Sequence, residues 1–420
     1  LKDPGERSNP GATEVFEDGV LLVEDGVVLE AGPAADLLPQ LGEDTRKTDY
    51  TGKIIVPGFI DCHVHYPQLD IIASYGEQLL DWLHRYAFPV EMQFGDAEHA
   101  AEVAGFFLDQ LLINGTTTAL VFGTVHPASA DAIFSAAEAR NMRLVAGKVL
   151  MDVNCPEELR DSPTSAYDDS KRLIERWHGR GRLGYAITPR FAVTSSDAQL
   201  AAAGRLASEY ADVWVHTHLA ENTAEIEEVA RRFPDSRSYL DVYDRHQLVR
   251  ERSVFAHCLH LDDDDRSTMA AKGAAAAFCP TSNLFLGSGL FDLAAMREQR
   301  VRVGLGTDVG GGTSLSLLTT AGEAYKALHL NDQTLPAMRA LYLATLGAAE
   351  ALYLDDRVGN FQAGKEADFV VLDCNATSLS RRRSAAATSI DEILFALLML
   401  ADDRHVAATY VAGKRFNPQQ

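Results

Sequence analysis

The sequence predicts an α/β fold: a (β/α)8 TIM-like barrel joined to a small β-sandwich formed by the N- and C-terminal segments. Three observations predict it. From residue 54 onward, short apolar runs alternate with amphipathic stretches of helical spacing. Eight such runs, each followed by a helical segment, fit one closed parallel barrel better than an open sheet. The two ends instead carry short strands with Gly-containing turns and no parallel-type helix between them.

The barrel strands are expected at 54–61, 116–122, 144–151, 183–191, 213–219, 253–258, 275–279 and 301–307. Helical spacing marks 98–113, 128–140, 197–210, 224–232 and 262–272 between them. A barrel of this kind takes about 250 residues, and 57–354 holds one with insertions. Strands at 20–23, 26–30 and 52–56 put the N-terminal part of the sandwich in residues 1–56. Strands at 367–372 and 407–412 put its C-terminal part, with a terminal helix, in residues 355–420.

Composition narrows the function. Sixty Asp and Glu against 38 Lys and Arg leave 420 residues with a net charge of −22. Hydrophobic types at 46% and charged types at 23% exclude a disordered or collagenous chain. The acidic balance repels phosphate backbones and anionic lipid, so neither nucleic acid nor a membrane is expected as partner. The longest apolar run near the C-terminus, 393–401, is nine residues, where a membrane-spanning helix needs about 20. The N-terminus lacks the pattern of a signal peptide, and a cytoplasmic location is expected. Cys62, Cys155, Cys258, Cys279 and Cys374 are scattered singly without C-x-x-C, as small buried hydrophobes in a reducing compartment.

The chemistry begins at Asp61-Cys62-His63-Val64-His65, at the end of the first barrel strand. Side chains alternate along a strand, so His63 and His65 point the same way and can share a cation. Alone, H-x-H is a weak signal, because paired surface histidines are common. Other candidates fall at strand ends too: His216 and His218 on strand five, His257 on strand six and Asp308 on strand eight. Those ends converge on one catalytic face of a barrel. Three neutral histidines and a carboxylate suit Zn2+ or Fe2+ and leave room for a water.

These residues resemble the amidohydrolase superfamily and, within it, the guanine deaminases. The resemblance spans nearly the whole chain. It runs through Pro57–His65, Pro67-Gln68, Leu80-Asp81-Trp82-Leu83, Tyr86–Pro89, Thr188–Phe191, His218–Asn222, Thr307-Asp308 with its following glycines, and Gly364–Phe369. It implies one Zn2+ per subunit on His63, His65, His218 and Asp308, with Fe2+ as the alternative ion. A metal lowers the pKa of bound water from about 15.7 to about 7. The hydroxide would attack C2 of guanine, a small-molecule purine base, giving xanthine and ammonia in purine catabolism. Asp308 would take the water proton, Glu221 would carry protons to N3 and the departing ammonia, and His257 would stabilise the hydroxide and the tetrahedral centre. Similar enzymes are homodimers.

Substrate contacts follow from chemistry as well. A guanidinium matches the N7 and O6 acceptor pair of guanine, so Arg190 is a candidate contact. Gln68 offers both a donor and an acceptor, while Trp82 and Phe191 can cover the ring faces and Leu83 extends that wall. His218, Glu221 and Asp308 border the same site. The alternative within the superfamily is a deaminase or hydrolase of a triazine, pterin or adenosine-type substrate. A catalytically dead scaffold would need lost ligands.

Other features have plainer readings. His216 competes with His218 as ligand, although the H-x-x-E spacing favours His218. His260 reads as a loop residue, and His84, His99, His126, His178, His246, His329 and His405 read as solvated. Lys148 reads as a buried or rim lysine without an assigned role. Asp262–Asp265 reads as a helix cap rather than a calcium loop, and Arg381–Arg383 as a surface turn.

Overall fold

The computed structural model describes residues 2–5, 10–76 and 78–417. Eight parallel strands lie side by side in chain order: β1 Phe59–His65, β2 Thr116–Phe122, β3 Arg143–Gly147, β4 Leu183–Pro189, β5 Trp214–Leu219, β6 Ser253–His257, β7 Ala275–Phe278 and β8 Arg302–Leu305. Helices cover the outside, as strands buried on both faces require. The seam between β1 and β8 closes at its C-terminal end. There Asp308 N–H donates to the His63 carbonyl at 2.8 Å and His65 N–H to that of Val309 at 2.8 Å. Below, the Asp61 carboxylate accepts from Thr307 N–H at 3.0 Å and Thr307 Oγ1 at 2.5 Å. The opposite end is plugged by helix Leu346–Ala351, whose alanines pack with Ile60, Leu120, Val145, Val254 and Trp214.

The expected barrel strand 54–61 is two strands, the first of which is the sandwich strand expected at 52–56. Ile54–Pro57 pairs with Phe369–Leu372 in an antiparallel sheet completed by Val406–Val411 and Lys414–Arg415, so both ends of the chain build it. Gly58 makes the crossing, because a Cβ there would lie 2.1 Å from Thr117 Oγ1. Alternation gives this sheet two apolar faces. Val370 and Leu372 join the main core, while Phe369 and Val371 meet Ala408 and Leu21 of the separate hairpin Gly19–Glu24/Val27–Pro33.

Three further expectations change. Strand 144–151 breaks at Lys148, whose buried ammonium pairs with Asp161, and only Val149–Leu150 resumes against β4. Arg381–Arg383 lie in helix Ser378–Ala385 rather than a turn, because Thr377 and Ser380 form a capping box that starts a helix there. His405 is buried rather than solvated, its Nδ1 accepting from Asp402 N–H at 3.1 Å. Asp262 does cap helix Asp263–Lys272 through Asp265 N–H, and all five cysteines are free and buried. No helix among the described residues is long and apolar enough to cross a membrane.

Candidate active site

Simple alternation would not put Cys62 and His63 on one face, yet both point inward. The β1–β2 register pairs Asp61 with Ala119 and Val64 with Val121, so two residues of β1 oppose Leu120 alone. This bulge leaves Cys62 in the barrel core and restarts alternation at His63 and His65 in the mouth. Glycines clear the way: a Cβ at Gly306 would lie 2.9 Å from His63 Cβ, and one at Gly304 would lie 2.3 Å from Cys62 Sγ. Elsewhere on this rim, Ala220, His257 and Asp308 hold φ of 50°, 72° and 51°. Such left-handed conformations cost about 1–3 kcal/mol each outside glycine and gather at functional sites.

His63, His65, His218 and Asp308 converge so that their ligand atoms all lie within 4.8 Å of one another. His63 Nε2 is 3.1 Å from His65 Nε2 and 3.0 Å from Asp308 Oδ1, and His65 Nε2 is 3.2 Å from His218 Nε2. A tetrahedral ion with bonds of about 2.05 Å sets its ligand atoms about 3.3 Å apart. Burial lowers the pKa of all three imidazoles, His65 to about 3, which keeps them neutral. Burial opposes the Asp308 charge, but His63, His65 and His257 outweigh it and hold that carboxyl well below its ordinary range. Bare nitrogen lone pairs aimed at one another and at a carboxylate fit a divalent cation. The far nitrogens are tied down in the manner common to metal-binding histidines: His218 Nδ1 donates to the Arg190 carbonyl at 2.7 Å, and His63 Nδ1 is 2.7 Å from His216 Nε2. His216 thus lies behind His63 and outside the four-residue cluster.

Glu221 faces this cluster. Burial, reinforced by the Asp308 charge, raises its pKa from 4.5 to about 8, opposed by Ser288 Oγ, which donates at 3.2 Å. Its backbone N–H is held by buried Glu225 at 2.9 Å. His257 donates from Nδ1 to Asn283 at 2.8 Å and leaves Nε2 3.4 Å from Glu221 and 3.6 Å from Asp308. One pocket is lined by His65, His218, Asp308, Glu221 and His257 together with Gln68, Trp82, Leu83, Arg190 and Phe191. His63 lies buried beneath it. Trp82 and Leu83 reach the pocket because helix Leu79–Trp82 widens into a π-turn over Leu83–Ala87. Pro89, which has no N–H to continue an α-helical ladder, follows at the start of Phe88–Glu91.

The comparisons bear on this geometry. A profile of the amidohydrolase family matches residues 54–416. Guanine deaminase of Escherichia coli K12 is 52% identical over 403 residues, covering 96% of this chain and 92% of the relative. The chain belongs to the amidohydrolase family, in its guanine deaminase branch. The solved E. coli guanine deaminase superposes with a TM-score of 0.97 at 50% identity, over 99% of this chain and 96% of that one. A Clostridium acetobutylicum guanine deaminase with guanine in its active site superposes at 0.88 and 27% identity, over 96% of each chain. Relatives at this level are guanine deaminases, so the triazine, pterin or adenosine-type alternative is not favoured.

Sequence reasoning missed several residues here. Glu91, fully buried, touches both Arg190 and Gln68. Phe122 floors the cluster, its ring 4.4 to 5.2 Å from those of His216, His65 and His63. Ser282 and Leu286 also line the pocket. A charged residue inside the apolar stretch Phe88-Pro89-Val90-Glu91-Met92 was the available signal for Glu91.

Proposed function

We propose that this chain hydrolyses guanine to xanthine and ammonia with one Zn2+ held by His63, His65, His218 and Asp308. Fe2+ suits the same donors. An ion held there would acidify a water and so supply a nucleophile at neutral pH. The ionised Asp308 accepts the proton of the attacking water, whose oxygen joins C2 of the ring. Glu221, kept protonated by burial, donates to N3; as a carboxylate it then takes up the proton held on Asp308 and passes it to the departing exocyclic amine as the C2–N bond breaks, and the proton of the C2 hydroxyl restores Glu221 as the carbonyl forms. His257 presents Nε2 beside both carboxylates and steadies charge at the tetrahedral carbon. Arg190 has donors only and addresses O6 and N7, and Gln68 addresses the neighbouring edge. Trp82, Leu83 and Phe191 enclose the ring.

The observation that carries this reading is the single pocket that joins a proton-bearing Glu221, the four-residue cluster and the Arg190 donors. A test is a spectrophotometric panel of guanine, adenine, cytosine and pterins with ammonia detection. Guanine should turn over and adenine should be rejected by orders of magnitude, since its 6-amine opposes the Arg190 donor that O6 would satisfy. Comparable adenine turnover contradicts the assignment. The same reading takes the protein as a cytoplasmic homodimer, with a barrel over 57–354 and an accessory unit from 1–56 and 355–420. Light scattering of the purified protein at the mass of two chains supports the dimer, and the mass of one chain refutes it.

A further inference from the structure

We propose that Glu91 is a positioning residue for base binding, fixing the two side chains that read the purine. This rests on the guanine reading of the pocket. Glu91 is fully buried at the end of helix Phe88–Glu91, which follows the π-turn that begins at Leu83, and it touches no member of the metal cluster in the hydrogen bonds it makes. Its Oε2 accepts from Arg190 Nη1 at 2.6 Å, and its Oε1 accepts from Gln68 Nε2 at 2.8 Å. One carboxylate therefore orients both.

The consequences differ for the two partners. A guanidinium has five N–H groups and no acceptor. With Nη1 held by Glu91, its plane is set and the remaining donors are left for a ligand bearing paired acceptors. The Gln68 amide is fixed in sense as well as place. Its nitrogen faces the carboxylate while Oε1 accepts from Gly310 N–H at 3.3 Å. Flipping it would set oxygen against carboxylate and nitrogen against N–H. A 6-oxopurine meets the Arg190 donors with two acceptors, N7 and O6, whereas a 6-aminopurine keeps N7 but sets an N–H donor against the second. The Arg190 carbonyl orients His218 through the backbone, separately from the side-chain nitrogen that Glu91 holds.

A structural explanation is weaker. Two buried charges are costly to desolvate, and an apolar pair of similar volume commonly serves stability as well or better. Retaining the pair in a pocket wall is explained by what it does to Arg190 and Gln68.

The test is steady-state kinetics on guanine for zinc-loaded wild type, Glu91→Gln, Arg190→Met and the double variant, with metal content measured for each. Glu91→Gln should raise KM about tenfold while kcat stays within about threefold, the pattern of lost base binding. In the Arg190→Met background the same change should shift KM less than about threefold, because its effect passes largely through Arg190. An unchanged KM in Glu91→Gln, or effects that simply multiply in the double variant, overturns the proposal. Should Glu91→Gln fail to fold, Glu91→Asp keeps the charge but shortens its reach. It should raise KM by a smaller factor, and an unchanged KM again overturns the proposal. Wild type active on guanine, with Arg190→Met impaired and Glu91 variants normal, refutes this inference alone. Wild type inert on guanine refutes the functional reading and this inference with it.

Discussion

Glu221 sits where burial and a neighbouring carboxylate both favour its protonated form, with a pKa near 8 against 4.5 for the free side chain. Glu221→Gln keeps the shape but cannot cycle a proton. It should lower kcat by about 10²–10⁴-fold with metal content unchanged, and near-normal turnover would move the proton carrier elsewhere. The shift also predicts a stability effect. A carboxyl whose folded pKa is raised contributes stability that is fully present below 4.5 and is lost as pH rises through about 8. The metal-free wild type should therefore lose melting temperature relative to Glu221→Gln between pH 4.5 and 8, and parallel curves would contradict that. At this scale strand ends made His63, His65, His216, His218, His257 and Asp308 legible as one group, while the preference for His218 over His216 came from the H-x-x-E spacing and the family resemblance. Glu91 was not legible, since its partner Arg190 lies 99 residues away and no periodic pattern links them.

The strands and helices carry a different lesson. Apolar runs announced all eight barrel strands, yet the expected 54–61 overran the sandwich strand expected at 52–56, because Gly58 lets the chain pass between sheets without a break in hydrophobicity. The bulge at Cys62–His63 was also hidden, as inward-facing residues on either side of it read as ordinary alternation. Element geometry is nonetheless what aims His63. Gly306→Ala would press a Cβ to 2.9 Å from His63 Cβ and 3.1 Å from Cys279 Sγ. We expect zinc affinity to fall at least about tenfold, as disturbed ligand support does, with a folded circular-dichroism spectrum. Unaltered affinity in a competition titration would show that His63 tolerates the displacement. The π-turn over Leu83–Ala87 was equally invisible, because no apolar period distinguishes it from the helical turns on either side.

Across the whole molecule, the chain ends are fastened to the barrel by charge as well as by apolar contact. Glu366, beside the terminal sheet, receives Arg143 of β3 and Arg182 just before β4, and Arg182 also pairs with buried Asp368. Removing Glu366 takes this carboxylate from the half-buried Arg143 and leaves Arg182 with Asp368 alone, so Glu366→Ala should cost about 2–3 kcal/mol in urea unfolding. A cost under about 1 kcal/mol would mean that the sheet is held by its apolar face alone. The overall division into barrel and terminal sheet was readable from the change in strand pattern, but this fastening joins residues far apart in the chain and has no local signature. The central claim is that one divalent ion at the mouth of the barrel enables guanine hydrolysis. Titrating metal-free protein with Zn2+ while following xanthine formation tests it most directly. Activity should rise linearly and stop at one equivalent per chain; full turnover before any zinc is added, or a break at two equivalents, would contradict it.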